Sequence, residues 1–158
     1  MEKPVKVDIK NVIISGATGA IGTALTALCL SKGMKVLILT RPDSKRNERI
    51  PDDPLVTVIK CDFSNLDKLK NTTGIEWDCF FHFAWAGTSG PGRNDMTLQT
   101  ENIRTALSAV SLAKRFGCKK FVGAGSQAEY GRPYRIFSGL YFCTWNKRHD
   151  LTIQSNKY

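Results

Sequence analysis

The chain has 158 residues, of which 42% are hydrophobic and 23% charged, a composition ordinary for a globular protein with one core. Its formal net charge is +9, but it contains no run of five or six like charges, which favours solvated surface charge over a nucleic-acid site. No apolar run approaches the ~18 residues that cross a bilayer, and the start of the chain lacks an apolar signal segment. We therefore expect a cytoplasmic protein without a membrane partner.

The stretch that follows Lys10 predicts a β-α-β unit. Residues 11–15 form an apolar, β-branched run that is typical of a strand buried on both faces. Residues 20–32 place apolar side chains at helical spacing, Gly33 is a suitable helix stop, and residues 35–39 form a second apolar run. Strand, glycine-rich turn, helix and strand together span about 30 residues, the size of one such unit.

The alternation of strands and helices continues along the next part of the chain. The further predicted elements are strands at 55–59, 79–83 and 119–123 and helices at 64–70 and 94–116. Ser64 is the expected N-cap of the shorter helix. This order predicts an α/β fold, a Rossmann-type, doubly wound parallel sheet of about five strands, with ligands at the carboxyl ends of the strands.

The character of the sequence changes after Gly131. Residues 132–145 are rich in aromatic side chains without a clear period, and residues 149–158 are polar and typical of a loose terminus. We therefore divide the chain into a Rossmann-type domain, residues 1–131, and an atypical C-terminal tail, residues 132–158. An altered reading frame or a natural truncation would account for the change.

The five cysteines indicate neither a disulfide framework nor a zinc site. Their number is odd, and no two of them stand in a Cys-x-x-Cys spacing. Four lie in apolar stretches, where cysteine usually serves as a small buried hydrophobic residue, so we expect no metal site.

Three glycines mark the turn between the first predicted strand and the first helix. A diphosphate needs main-chain N–H groups at close range and a helix N-terminus facing it, and residues without a Cβ let the backbone come that close. Gly16 can make the turn, Gly19 can lie beside a pyrophosphate, and Gly22 can let the helix pack tightly on the sheet. Because the glycines follow a strand and open a helix, a dinucleotide-binding loop is favoured over a plain glycine-rich turn.

The spacing Gly-x-x-Gly-x-x-Gly resembles the short-chain dehydrogenase/reductase superfamily, in particular its extended branch of NAD-dependent epimerases and dehydratases. Further segments match that family's pattern in order, namely Cys61-Asp62-Phe63, His82-Phe-Ala-Trp-Ala86, Asn102 and Gly125-Ser-Gln-Ala-Glu-Tyr-Gly131. The resemblance implies cofactor contacts from Gly16, Thr18, Gly19, Ala20, Ile21, Gly22, Asp62, Phe63, Phe83, Ala84, Trp85 and Asn102. It implies also that Ser126 hydrogen-bonds the reacting hydroxyl or carbonyl of the substrate. The family's sixth strand and C-terminal substrate subdomain have no counterpart in this sequence.

Some of these residues also have purely structural interpretations. Asp62 could cap a short helix. His82 lies among three phenylalanines and could be a packed core histidine. Ser126 could satisfy backbone groups in a turn. Only the order of the segments and their position at strand ends favour ligand binding.

The end of the second predicted strand bears on the choice of cofactor. NAD-binding proteins of this type usually carry an acidic residue there, whereas this chain has Leu39-Thr40-Arg41. Since a guanidinium can pair with the 2′-phosphate of NADP, we count Arg41 among the cofactor-binding residues and favour NADP slightly over NAD. The alternative is that Arg41 is a surface cation in a loop.

The resemblance implies an NAD(P)-binding protein of the epimerase/dehydratase type, which moves hydride between a nucleotide-activated sugar and the nicotinamide. In that family a Tyr-x-x-x-Lys pair supplies the general acid and base, and no such pair occurs in this sequence. The alternative is therefore a catalytically inactive dinucleotide-binding module. A weaker third interpretation is nucleic-acid binding through the basic tail. An open sheet edge after the fifth strand would favour marginal stability or a homo-oligomer.

Overall fold

The computed structural model describes residues 8–125 and, as backbone strands, residues 142–146 and 151–154. Its strands are β1 (Asn11–Ser15), β2 (Lys35–Thr40), β3 (Val56–Lys60), β4 (Cys79–His82), β5 (Lys120–Ala124), β6 (Phe142–Asn146) and β7 (Leu151–Gln154). The α-helices are α1 (Ala20–Ser31) and α2 (Met96–Arg115), and short 3-10 helices cover Lys45–Arg49, Phe63–Lys68 and Pro91–Asn94. None of these helices combines the length and the apolar character needed to cross a membrane.

The described strands form one sheet in the order β3-β2-β1-β4-β5-β6-β7. Every neighbouring pair from β3 to β5 is parallel, which confirms the predicted Rossmann-type sheet of about five parallel strands. The chain moves outward from β1 to β3 and then returns to β4 on the other side of β1. Ligands of such sheets bind at the carboxyl ends of the strands where the order reverses, which here is the gap between β1 and β4.

Each face of the sheet carries its own apolar cluster. Because alternate residues of a strand point to opposite faces, Ile13 and Phe80 pack toward Leu112 of α2, while Val12 and Ile14 pack on the other face with residues of α1. β1 and β2 are buried on both faces, as their continuous apolar runs predicted.

Two predicted helix starts differ from the structure. The segment predicted as a helix at 64–70 is a 3-10 helix that begins at Phe63, and its cap is Asp62, not Ser64, because the Asp62 carboxylate accepts a hydrogen bond from the Ser64 N–H at 3.0 Å. The long helix begins at Met96 after a separate 3-10 turn, and Asp95 caps it by accepting from the Leu98 N–H at 3.1 Å.

The tail contains regular structure that its sequence did not predict. β6 pairs antiparallel with β5, and β7 pairs antiparallel with β6, so the expected loose terminus is wrong for Leu151–Gln154, and β6 is a strand that the sequence did not predict. The edge of β5 offers unpaired backbone groups, and the β6 segment is rich in the aromatic and β-branched residues that suit a strand. The predicted open edge beside β5 is therefore occupied. The proposed boundary at 131/132 lies outside the described residues.

Candidate functional site

The carboxyl ends of the parallel strands bring the predicted site segments to one edge of the sheet. In register, Ser15 at the end of β1 lies between Leu39 of β2 and His82 of β4. The next strand pairing aligns Thr40 with Lys60, one residue before Cys61. The glycine turn, Arg41, the Asp62 segment and the segment after His82 therefore all leave the sheet at the same edge.

Two of the three glycines are required by the fold. Gly16 has a φ of +78°, and a Cβ there would lie 2.6 Å from the carbonyl carbon of Phe83 and 2.7 Å from the nitrogen of Ala84. At Gly22 a Cβ would lie 2.6 Å from the Cα of Ala17. Because these neighbours are backbone atoms that cannot move aside cheaply, only glycine fits at both positions.

Gly19 differs from the other two. A Cβ built there meets only the carbonyl oxygen of Gly16, at 3.4 Å, and its backbone is extended, with φ −81° and ψ 169°. The protein itself has room for a side chain at this position. The space that glycine leaves at Gly19 is therefore open to a ligand at the start of α1.

The N-terminus of α1 has the character of an anion site. Gly19, the N-cap, provides no side-chain cap, and the first turn has no acidic residue. The first helical bond within the turn runs from the Thr23 N–H to the Gly19 carbonyl at 2.8 Å, so the N–H groups of Ala20, Ile21 and Gly22 lie before it in the free first turn. Free N–H groups and the positive end of the helix dipole favour a phosphate. Thr18 lies half-buried within the same turn.

Arg41 directly follows β2 and is exposed. Its backbone is fixed, because Asn47 accepts a hydrogen bond from the Thr40 hydroxyl at 2.6 Å and donates one to the Arg41 carbonyl at 2.9 Å. Within residues 8–125 no carboxylate forms an ion pair with Arg41. A fixed backbone with an exposed guanidinium is compatible both with a phosphate contact and with a plain surface cation.

Asp62 is exposed at the end of β3, and Phe63 turns inward to pack against the core on the α2 face. The hydrogen bonds from Ser64 lower the pKa of the Asp62 carboxyl, so it is ionised at neutral pH. The helix-cap interpretation of Asp62 is thus confirmed, while its predicted contact with the cofactor stays a prediction.

His82 is a packed histidine at the end of β4, as the structural interpretation held. Its ring is 5% exposed, stacks on Phe121 at a centroid distance of 6.1 Å, and shares a hydrogen bond of 2.7 Å between its Nδ1 and the Ser15 hydroxyl. Its Nε2 is buried without a partner among the described residues. Burial lowers the pKa of His82 to about 4, so the ring is neutral at pH 7 and joins the ends of β1 and β4.

The segment after β4 is held against the glycine turn. The Phe83 N–H donates to the Ser15 carbonyl at 2.9 Å, and its ring packs 6.0 Å from that of Phe81. Ala84 is half-buried beside Gly16. Trp85 is 44% exposed, and its indole N–H donates to Gln99 Oε1 at 2.9 Å.

Asn102 fixes the next residue from the middle of α2. Its buried side chain accepts from the Ala86 N–H at 2.9 Å and donates to the Ala86 carbonyl at 2.8 Å. Both halves of the carboxamide are thus used by the loop after β4. Asn102 therefore shapes the edge of the site through its hold on Ala86.

Sequence reasoning missed two residues of this arrangement, Ser15 and Gln99. Gln99 donates to the Gly92 carbonyl at 2.9 Å and accepts from Trp85, so it joins both ends of the loop between β4 and α2. Its position three residues before Asn102, on the same helix face, was a usable signal. Ser15 was visible as the single hydroxyl that ends an apolar run before a glycine.

Among residues 8–125, the cysteine side chains take no part in this edge as ionised groups. Burial raises the pKa of Cys61 to about 11 and the pKa values of Cys79 and Cys118 to about 12, so these thiols stay protonated at neutral pH. Cys29 and Cys79 are buried hydrophobic residues, as predicted. Across the described ranges, no three His, Cys, Asp or Glu side chains lie together as a metal site would require. Ser126, the predicted substrate contact, lies outside the described residues.

A sequence model of the NAD dependent epimerase/dehydratase family matches residues 12–141, most of the chain. No curated protein sequence matches this chain.

Solved structures share its fold. The epimerase Mth375 of Methanothermobacter thermautotrophicus superposes with a TM-score of 0.69 at 25% identity, over 93% of this chain and 42% of that one. For WbmG of Bordetella bronchiseptica, solved in complex with NAD, the TM-score is 0.67 at 18% identity, over 84% and 42%. For a UDP-galactose 4-epimerase the TM-score is 0.64 at 21% identity, over 77% and 40%. The chain spans about two fifths of the length of these proteins.

Proposed function

The chain belongs to the NAD dependent epimerase/dehydratase family, and from this membership we propose that it binds a nicotinamide dinucleotide along the carboxyl edge of β1, β2 and β4. One observation carries the proposal. The fold itself does not require a glycine at position 19. The space left there lies at an uncapped helix N-terminus with free N–H groups. The pyrophosphate of the dinucleotide fits this charge and shape.

We assign the remaining residues of this edge to the two halves of the dinucleotide on either side of the pyrophosphate. Arg41 and Asp62, at the ends of β2 and β3, face the adenosine half. Phe83, Ala84 and Trp85, after β4, lie on the nicotinamide side. The related WbmG structures with NAD and with NAD and UDP support a dinucleotide together with a nucleotide ligand.

The proposed chemistry is that of an epimerase or dehydratase acting on a nucleotide-activated sugar. The nicotinamide, when bound, supplies the hydride acceptor and donor. This chain holds the pyrophosphate at the glycine turn, and Ser126 is proposed to hydrogen-bond the reacting oxygen of the sugar.

A second candidate function is cofactor binding without turnover by these 158 residues. It is favoured by the absence of Tyr-x-x-x-Lys from the sequence, since that pair supplies the proton transfer in the family. An assay with UDP-glucose or UDP-galactose and either cofactor separates the two. Epimerisation or change in nicotinamide absorbance supports the enzyme, and cofactor binding without either change supports the binding module.

The pyrophosphate site is tested by Gly19→Val, which fills the open space at the start of α1. We expect NADH and NADPH affinity, measured by calorimetry, to fall at least about tenfold, a difference of ~1.4 kcal/mol. Ala27→Val is the matched control, because it places the same side chain at an exposed position of the same helix. Equal cofactor affinity in Gly19→Val and in the unmodified chain would refute the proposed site.

The preference for NADP is tested by Arg41→Ala. A guanidinium beside the 2′-phosphate contributes a charge-assisted contact, so its loss should weaken NADPH about five- to tenfold and leave NADH unchanged. Arg104→Ala, which removes another exposed guanidinium on α2, is the control. If Arg41→Ala weakens both cofactors equally, the guanidinium acts on a group that they share and does not select NADP. If it weakens neither, Arg41 is a surface cation.

A further inference from the structure

Trp85 is an exposed aromatic ring at the edge proposed to bind the dinucleotide. It keeps 44% of its surface in contact with solvent, whereas Trp77, just before β4, is 1% exposed in the core. An indole left in water forgoes the hydrophobic gain that Trp77 obtains. The fold therefore does not account for the size of this side chain.

The indole of Trp85 is held by one hydrogen bond and by the fixed main chain of the next residue. Its N–H donates to Gln99 Oε1 at 2.9 Å, and the Gln99 amide in turn donates to the Gly92 carbonyl at 2.9 Å. The following residue, Ala86, has both of its main-chain groups bonded to Asn102. A ring fixed before binding loses little freedom when a ligand stacks on it.

The position of Trp85 along the edge indicates which part of a ligand it meets. With the pyrophosphate at the end of β1 and the adenosine on the β2 side, the other half of the dinucleotide extends over β4, about 5 Å away. Trp85 follows the last residue of β4 by three positions. It therefore lies at the nicotinamide end of the proposed site.

We infer that Trp85 is a stacking surface for the ring at this end of the site, the nicotinamide of the cofactor or the hexose of a nucleotide sugar, and that Gln99 positions the indole. Both ligands offer a ring face, and the oxidised nicotinamide is also a cation, which the face of an indole attracts. The inference rests on the proposed cofactor site.

The test compares ligands that differ only by the ring in question. The affinity for NAD is compared with that for ADP-ribose, which lacks nicotinamide. The affinity for UDP-glucose is compared with that for UDP, both in the presence of saturating NAD. All four affinities are measured by calorimetry on the full chain. We expect Trp85→Ala to weaken NAD or UDP-glucose about five- to tenfold, within the range known for aromatic stacking, and to leave ADP-ribose and UDP unchanged. Trp85→Phe, which keeps a ring, should recover most of the affinity.

Each outcome decides a separate point. A loss confined to NAD identifies nicotinamide as the stacked ring, and a loss confined to UDP-glucose identifies the hexose. Equal losses for ADP-ribose or UDP, or no loss for any ligand, overturn the stacking surface while the cofactor site stands. If the unmodified chain binds no dinucleotide, the proposed function fails, and the inference fails with it. Leu107→Ala, which truncates an exposed apolar residue further along α2, is the control.

The positioning role of Gln99 is tested in a double-mutant cycle. Gln99→Leu should weaken the ring-bearing ligand as Trp85→Ala does, and should add no further loss in the Trp85→Ala background. Gln99→Glu keeps an acceptor for the indole N–H but loses the donor to the Gly92 carbonyl, so it should recover only part of the affinity. If Gln99→Leu weakens binding equally in both backgrounds, Gln99 acts on the loop and not through Trp85.

Discussion

His82 is a buried titratable group in the sheet, and its two ring nitrogens have different surroundings. The Nδ1 side is bonded to the Ser15 hydroxyl, and the Nε2 is buried without a partner among the described residues. Charging this ring would place an ion in an apolar environment beside Phe80 and Phe121. The protein therefore keeps the ring neutral well below the ordinary pKa of histidine.

This burial makes stability fall in acid. The pKa of His82 is about 4 in the folded protein, against about 6.5 for an unperturbed histidine, so between these pH values the unfolded chain takes up a proton that the folded chain excludes. We expect the free energy of unfolding to fall by about 3 kcal/mol as the pH drops from 6.5 to 4 through this group. His82→Gln, which keeps a partner for Ser15, should remove that part of the fall in urea titrations.

The control for this experiment is His149→Gln, since His149 is the other histidine of the chain. It should retain the full acid sensitivity of the unmodified protein. If His82→Gln loses stability with pH as steeply as the unmodified chain, carboxylates and not His82 set the acid response.

The residues of the site differ in how far the sequence could reveal them. The glycine turn was predictable, because strand, glycines and helix follow one another in a fixed order. The different status of Gly19 was not, since it depends on the distance from a missing Cβ to backbone that only the fold brings near. Likewise, the hydroxyl that pairs with His82 lies 67 positions earlier in the chain.

At the scale of elements, the loop between β4 and α2 is organised by α2. Asn102 bonds both main-chain groups of Ala86, and Gln99 bonds the carbonyl of Gly92. Gly87 and Gly92 lie close together, because a Cβ at Gly87 would reach to 2.5 Å from the Gly92 carbonyl oxygen. The loop is therefore a built part of the site and not a free connection.

Removing the Asn102 clamp should loosen this loop. Asn102→Ala leaves the N–H and carbonyl of Ala86 without their partners, and we expect the free energy of unfolding to drop by about 2–3 kcal/mol. Amide hydrogen exchange at residues 86–92 should accelerate, while exchange in β1 and β2 stays slow. Thr100→Ala, an exposed position on the same helix, should change neither quantity. Unchanged exchange at 86–92 in Asn102→Ala would show that other contacts hold the loop.

Strand and helix positions were largely readable from the sequence, and the connections were not. The buried strands and the glycine stops at Gly33 and Gly117 carry strong local signals, and both glycines have the expected positive φ. The short helix after β3 begins one residue earlier than predicted. Asp62 and Ser64 are both good capping residues, and only the geometry of the fold decides between them. β6 was missed since its pairing depends on the free edge of β5.

At the scale of the whole molecule, the amino and carboxyl ends of the parallel strands have different roles. At the amino edge, the Asp78 carboxylate accepts from the backbone N–H groups of Lys10 and Asn11 at 2.9 and 3.0 Å and forms an ion pair with Lys119 at 3.7 Å. It thereby joins the start of β1 to β4 and to the approach of β5. A hollow of about 480 Å³ at this edge is lined by Lys10, Lys32 and Lys35 among others, far from the glycine turn.

Asp78→Ala should therefore separate stability from binding. We expect it to lower the free energy of unfolding by about 2 kcal/mol, because two backbone N–H groups lose a charged acceptor. Cofactor affinity, measured at a temperature where the variant is fully folded, should match that of the unmodified chain. Asp67→Ala removes an exposed carboxylate and should leave the urea midpoint unchanged. A parallel loss of affinity in Asp78→Ala would mean that the two edges are not independent.

The absence of a side chain at Gly16 has a mechanical consequence. The turn presses directly on the main chain at Phe83 and Ala84, with no deformable group between them. The two segments of main chain are therefore in direct contact, and a side chain at position 16 would push them apart. A displacement of the glycine turn would therefore be passed to Phe83 and Ala84, and through them to Trp85, the next residue in the chain.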